Sequence, residues 1–136
     1  MKVVLDTNVM VSGFLSPHGA PAQILYRFTQ GDIELLYDVR ILEEYREVLG
    51  RDKFGLVEDA VRQFLKRVEE EGQLIIPRPL SRRLPDPDDE PFLEVATEGH
   101  AEALITGNLR HFPRVATAGV LVLTPHDFLN RLRRSG

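Results

Sequence analysis

The chain has 136 residues, 43% of them hydrophobic and 28% charged, with no cysteine and a formal charge of −4. These are globular values at a size suited to one core, well away from the low-apolar composition of disordered chains. The lack of cysteine excludes disulfide frameworks, thiolate zinc sites, iron–sulfur clusters and cysteine nucleophiles, so any metal must be held by oxygen or imidazole.

The opening Met1-Lys2-Val3-Val4-Leu5-Asp6 sets an acid where a secretory signal needs an uninterrupted apolar region, and no later apolar run approaches a membrane span. The expected address is the cytoplasm, with no membrane association. No internal repeat, low-complexity tract or long linker interrupts the chain, so one domain over residues 1–136 is the economical organisation.

Apolar runs too short for helices and rich in Val, Ile and Leu occur at residues 2–5, 33–37, 74–76, 103–105 and 120–123. Each reads as a strand buried on both faces. Helical periodicity fills roughly residues 8–15, 20–30, 39–50, 56–71, 89–99 and 124–134. Gly31, Gly50, Gly72 and Gly99 follow periodic runs as helix stops, and Thr124-Pro125-His126-Asp127 has the hydroxyl, proline and acid of a helix start. Strands alternating with helices predict an α/β fold: a parallel sheet between helical layers, with ligands beyond the carboxyl ends of the strands.

Polar residues directly after strands therefore deserve the closest reading. Asp6 follows the first strand and is either a helix N-cap or a site acid, and Asn8 can orient that carboxylate or act as the cap itself. In the helix over 39–50, Ile41, Leu42, Tyr45, Val48 and Leu49 form one apolar stripe. Glu43 and Glu47 lie near its far side, whereas Glu44 falls roughly 100° from its centre, on the flank, where it can reach a cleft or remain a surface acid.

Pro85-Asp86-Pro87-Asp88-Asp89-Glu90-Pro91 packs four carboxylates into five residues, which repel unless a cation or water separates them. Asp89 precedes Phe92, Leu93 and Ala96 at helical spacing and shares their core-facing side, while Glu90 points away. An acidic loop capping the next helix is the simpler alternative. Ile105-Thr106-Gly107-Asn108 runs from a strand into a hydroxyl, a glycine and an amide, which form either a site edge or an ordinary turn. His18, His100, His111 and His126 lack metal-ligand spacing and read as surface or local structural residues, and no glycine-rich phosphate loop is present.

Charge is uneven. Residues 107–136 carry Arg110, Arg114, Arg131, Arg133 and Arg134 against the single acid Asp127, leaving the rest of the chain strongly acidic. A solvated Arg-rich last helix explains this, as does a surface for an anionic partner.

Taken in order, Val3-Val4-Leu5-Asp6-Thr7-Asn8, the Glu44 helix, Asp86 to Ala96 and Ile105-Thr106-Gly107-Asn108 resemble the PIN domain, a metal-dependent ribonuclease fold that includes toxins of toxin–antitoxin pairs. The resemblance covers nearly the whole chain. It implies a three-layer sandwich around a parallel sheet of about five strands in the order 3-2-1-4-5, with helices on both faces. It also implies Mg2+- or Mn2+-dependent hydrolysis of RNA phosphodiester bonds. By the match, Asp6, Glu44 and Asp89 are the catalytic and metal-holding acids, Asn8 and Thr106 their polar support, and Asn108 a further metal position where the family often has Asp. Asn keeps an oxygen ligand but removes a negative charge.

The chemistry is consistent with those residue types. Carboxylates alone repel a phosphodiester, whereas hard divalent ions turn them into a mount for positive charge, activating water and neutralising the departing oxygen. Arg110 and Arg114 are the candidates for RNA backbone contact. A protein antitoxin is the second expected partner. A homodimer or larger homo-oligomer is also expected, through an apolar helix face at Ile24, Leu25 and Phe28 or at Phe64 and Leu65. Two alternatives stand beside the nuclease: a PIN-like RNA-binding or assembly module with little or no turnover, and a phosphotransferase using Asp6 as nucleophile. The latter lacks the usual second acid at Asn8 and a lysine after a later strand.

Overall fold

The computed structural model describes residues 1–117 and 119–135. In chain order they form β1 (Lys2–Leu5), α1 (Thr7–Leu15), α2 (Ala20–Thr29), β2 (Glu34–Tyr37), α3 (Val39–Leu49), α4 (Glu58–Glu71), β3 (Gln73–Leu74), α5 (Glu90–Glu98), β4 (Ala103–Ile105), β5 (Val122–Leu123) and α6 (Pro125–Ser135). Short 3-10 turns lie at Asp52–Phe54, Pro87–Asp89 and Leu109–His111.

The strands pair in parallel in the order β3-β2-β1-β4-β5, the order the resemblance implies. β1 is central, with Val3 opposite both Leu35 and Ala103. Consecutive strand residues face opposite sides of a sheet, and Val3, Val4, Leu5, Ala103, Leu104 and Ile105 are all buried, so helices cover both faces at the centre. α5 packs across β1, β2 and β4, α4 lies against β2 and β3, and α6 lies against β4 and β5.

Burial on both faces does not extend to the edges. Leu74 is 52% exposed and Ile76 87% exposed. An outermost strand has a neighbour on one side only and receives less helical cover than the centre, and Pro77 and Pro79 then deny the chain further ladder donors.

The apolar helix faces proposed for self-association are used inside the protomer instead. Ile24, Leu25, Phe28 and Leu65 are buried, and the Phe64 ring packs edge-on against Phe14 and Phe28 with centroids 5.4 and 5.8 Å apart. These side chains pack largely inside the protomer, so a homo-oligomer would form through another surface.

Gly72 ends α4 just before β3, where a Cβ would sit 2.5 Å from the Val68 carbonyl oxygen and 2.8 Å from that of Leu35. Both obstacles are backbone, so the sheet would have to move. Gly72→Ala is expected to destabilise the protein by about 2 kcal/mol or more in denaturant unfolding, within the range for strained core substitutions.

Candidate active site

Strand order reverses at β1: the chain adds β2 and β3 on one side, then returns to place β4 and β5 on the other. The crevice at such a reversal opens beyond the carboxyl ends of the two adjoining strands. Here those ends are Asp6, after β1, and Thr106, after β4. They are tied by the backbone, with Asp6 N–H donating to the Ile105 carbonyl at 2.9 Å.

Asp6 is the N-cap of α1, with Oδ1 accepting from Thr7 N–H at 2.8 Å. Its other oxygen, Oδ2, accepts from the Thr106 hydroxyl at 2.7 Å. Thr106 is fully buried and in turn accepts from Asn108 N–H at 3.1 Å. Asn8 directs its amide oxygen to Gly107 N–H at 3.3 Å, stitching the start of α1 to the turn after β4.

Glu44 lies on the flank of α3, half-buried, while Glu43 and Glu47 are exposed. The Thr7 hydroxyl donates to Glu44 Oε2, and the next residue, the buried Tyr45, donates its hydroxyl to the Leu5 carbonyl. α3 is thereby clamped at the end of β1, with Glu44 on the Asp6 side.

The four carboxylates of the acidic turn separate by role. Asp86 caps the 3-10 turn by accepting from Asp88 N–H at 2.9 Å, and Asp88 is exposed. Glu90 does not point to solvent: it is buried, accepting from Arg83 Nε at 2.9 Å and Leu84 N–H at 3.0 Å, which hold its carboxyl below the usual range. Asp89 is also buried, but its Oδ2 has no hydrogen-bond partner among the described residues. The nearest recorded cationic or imidazole nitrogen is His111 Nδ1, 3.0 Å away without hydrogen-bond alignment.

His111 is the residue that sequence reasoning left outside the site. Its Nε2 lies 2.8 Å from the Asn108 amide. The available signal was the 3-10 turn Leu109–His111, since residues three apart on such a turn eclipse and Asn108 is three before His111. Arg110 and Arg114 are exposed nearby in sequence.

Burial pushes the Asp89 carboxyl up to about 6, and the Asp6, Asp86 and Glu44 charges push the same way, against His111. Burial also raises Asp6, against the hydrogen bonds from Thr106 and Thr7. Glu44 is raised chiefly by burial, then by Asp6 and Asp88, against its bond from Thr7. The three acids thus disfavour one another's ionised forms.

Asp38 provides an internal contrast. It follows β2 as Asp6 follows β1, but it caps Ile41 N–H and pairs with Arg40, which also holds the buried Glu94 at 2.8 Å. Among the described residues Asp6, Glu44 and Asp89 have no Lys or Arg ion pair. No three Asp, Glu or His side chains among the described residues already stand as a metal cage. The donor set nonetheless suits a hard divalent ion: all-oxygen acids, one with a buried oxygen that accepts no hydrogen bond and each raised by its surroundings.

The PIN domain profile matches residues 2–110. An uncharacterised protein of Methanocaldococcus jannaschii is 27% identical over 98% of this chain and 93% of its own length. The fold is similar to FitAcB from Neisseria gonorrhoeae, with TM-score 0.62, 18% identity and 91% and 98% of the two chains covered. It is also similar to PAE2754 from Pyrobaculum aerophilum, with TM-score 0.59, 17% identity and 98% and 90% covered. VapBC2 from Rickettsia felis, solved bound to a DNA fragment from their promoter, gives TM-score 0.55 at 12% identity over 90% and 97% of the chains.

Proposed function

The chain belongs to the PIN-domain family, and on that footing we propose that it is a metal-dependent endoribonuclease that hydrolyses RNA phosphodiester bonds and serves as the toxin of a toxin–antitoxin pair. The observation that carries this reading is the buried Oδ2 of Asp89, which accepts no hydrogen bond and meets only the His111 imidazole, in a group of acids whose charges oppose one another. Such a group is costly to hold ionised without a compensating cation. PIN-domain nucleases generally use a divalent metal.

Asp6, Glu44 and Asp89 would hold Mg2+ or Mn2+, with the Asn108 amide as a neutral oxygen donor. When bound, the ion supplies positive charge to the phosphate and acidity to the attacking water. The protein's own work is to keep the acids in place. Thr7 and Thr106 fix Asp6, Thr7 fixes Glu44, and Asn8 holds the turn that carries Asn108. Arg110 and Arg114 contact the RNA backbone as cations on the exposed side of the turn. The protein works in the cytoplasm, its partners being RNA, a protein antitoxin and a second copy of itself.

The absence of a ready-made cage among the described residues, together with Asn at position 108, favours a second reading, an RNA-binding or assembly module with little turnover. Cleavage of a mixed RNA pool with and without Mg2+ or Mn2+ decides between the two. We expect metal-stimulated cleavage that Asp6→Asn lowers by at least about 100-fold, since changes behind a ligand alone cost about 10–100-fold. Equal cleavage by variant and parent would overturn the nuclease reading.

A further inference from the structure

We propose that His111 is itself a ligand of the divalent ion, through Nδ1, and that this nitrogen makes the site prefer first-row ions such as Mn2+ to Mg2+. The inference rests on the metal-dependent reading above and puts His111 in place of the Asn108 amide as the further donor, since an amide turned to Nε2 cannot also reach an ion bound at Nδ1. Three observations support it. First, His111 Nδ1 and Asp89 Oδ2 are 3.0 Å apart, yet the oxygen has no aligned hydrogen-bond donor. Adjacent ligands on an octahedral ion with bonds of about 2.1 Å stand about 3.0 Å apart, so the two atoms already have the spacing of neighbours in one coordination shell.

Second, the other ring nitrogen is engaged. Nε2 faces the Asn108 amide at 2.8 Å. The two ends of an amide exchange by a half-turn, so Asn108 can present its oxygen to Nε2–H. That tautomer leaves the lone pair on Nδ1, the nitrogen nearest Asp89. A ligating imidazole ordinarily has its second nitrogen fixed in this way.

Third, the position is anchored without being closed. Asn108 N–H bonds Thr106, which holds Asp6, so one short segment links the imidazole to the strand-end acid through two hydrogen bonds. His111 is itself only partly buried and sits on a single 3-10 turn, so its ring edge is open to an entering ion. Imidazole is a softer donor than carboxylate, and its presence favours first-row transition ions over Mg2+.

Electron spin-echo measurements on the Mn2+-loaded protein test this directly, with histidine 15N-labelled to separate imidazole from backbone nitrogen. We expect a directly bound histidine nitrogen in the parent and its loss in His111→Ala and His111→Gln, with His18, His100 and His126 retained as controls. Titration is expected to show Mn2+ affinity falling at least 10-fold in both variants and Mg2+ affinity changing less. Tight Mn2+ binding with no histidine coupling would overturn the His111 assignment and leave the metal reading standing. Failure of the folded parent to bind Mn2+ at all would overturn both.

Discussion

Asp89→Asn is expected to make the metal-free protein more stable near pH 8 while abolishing RNA cleavage. In the folded protein the carboxyl titrates at about 6, against 3.8 in an unperturbed chain. An acid whose pKa rises on folding binds its proton more tightly in the folded state. Its penalty is therefore absent below about pH 4, grows as pH rises through 4 to 6, and stays constant above. That difference in pKa corresponds to about 3 kcal/mol at most, and solvent screening at a cleft reduces this to about 1–2 kcal/mol. That is worth a few degrees in Tm at this size.

Asn has nearly the same shape and no charge to lose, so the variant should lack this slope. Thermal unfolding in a chelator at pH 5 and pH 8 checks it: the parent should lose stability relative to Asp89→Asn on going from pH 5 to pH 8. Addition of Mn2+ should raise the Tm of the parent, by ligand linkage, and leave the variant nearly unmoved. A variant less stable than its parent at pH 8 would contradict the electrostatic account of this site. A gain of stability with a loss of function is the behaviour expected of residues retained for chemistry against the preference of the fold.

Much of this arrangement is legible in the amino-acid sequence, because central strands and strand-end acids leave local marks. β1 and β4 are apolar on consecutive residues, which only a sheet covered on both faces requires, and Asp6 follows the first of them directly. Glu44 is marked by its angle from the α3 stripe. Asp89 is marked by its spacing to Phe92, Leu93 and Ala96, all of which are core.

What is not legible depends on segments distant in sequence. Nothing local indicates that the chain before α5 folds back over that helix, yet Arg83 and Leu84 bury Glu90, and Leu80 N–H and Arg40 bury Glu94. The helix period alone would turn both acids to water. Edge exposure at Leu74 and Ile76 depends likewise on which strand ends up outermost, a property of strand order and not of the strand itself. His111 meets Asp89 although α5 and β4 lie between them in the chain, and its only local mark is a turn too short for periodicity to register.

Thr106→Val should damage the site without touching an acid. Valine matches threonine in shape, so packing at this fully buried position is kept while two hydrogen bonds vanish. Asp6 Oδ2 loses its 2.7 Å donor, and Asn108 N–H loses its acceptor. Removing a bond to a charged group in a buried setting costs about 1.5–3 kcal/mol.

The sign with pH follows from the chemistry of the bond. The Thr106 hydroxyl favours ionised Asp6 and lowers a pKa that burial has raised. Without it the Asp6 pKa rises further, so the stability lost in the variant should be larger at pH 8 than at pH 5. The acid limb of the cleavage profile should move to higher pH, with the maximal rate down about 10–100-fold, the usual effect of removing support behind a ligand. Thr106→Ser restores the hydroxyl and should return both the limb and most of the rate, a recovery that a purely steric role for Thr106 would not produce. An unchanged pH profile in Thr106→Val, with Mn2+ affinity intact, would show that Asp6 is held well enough by Thr7 and the start of α1 alone.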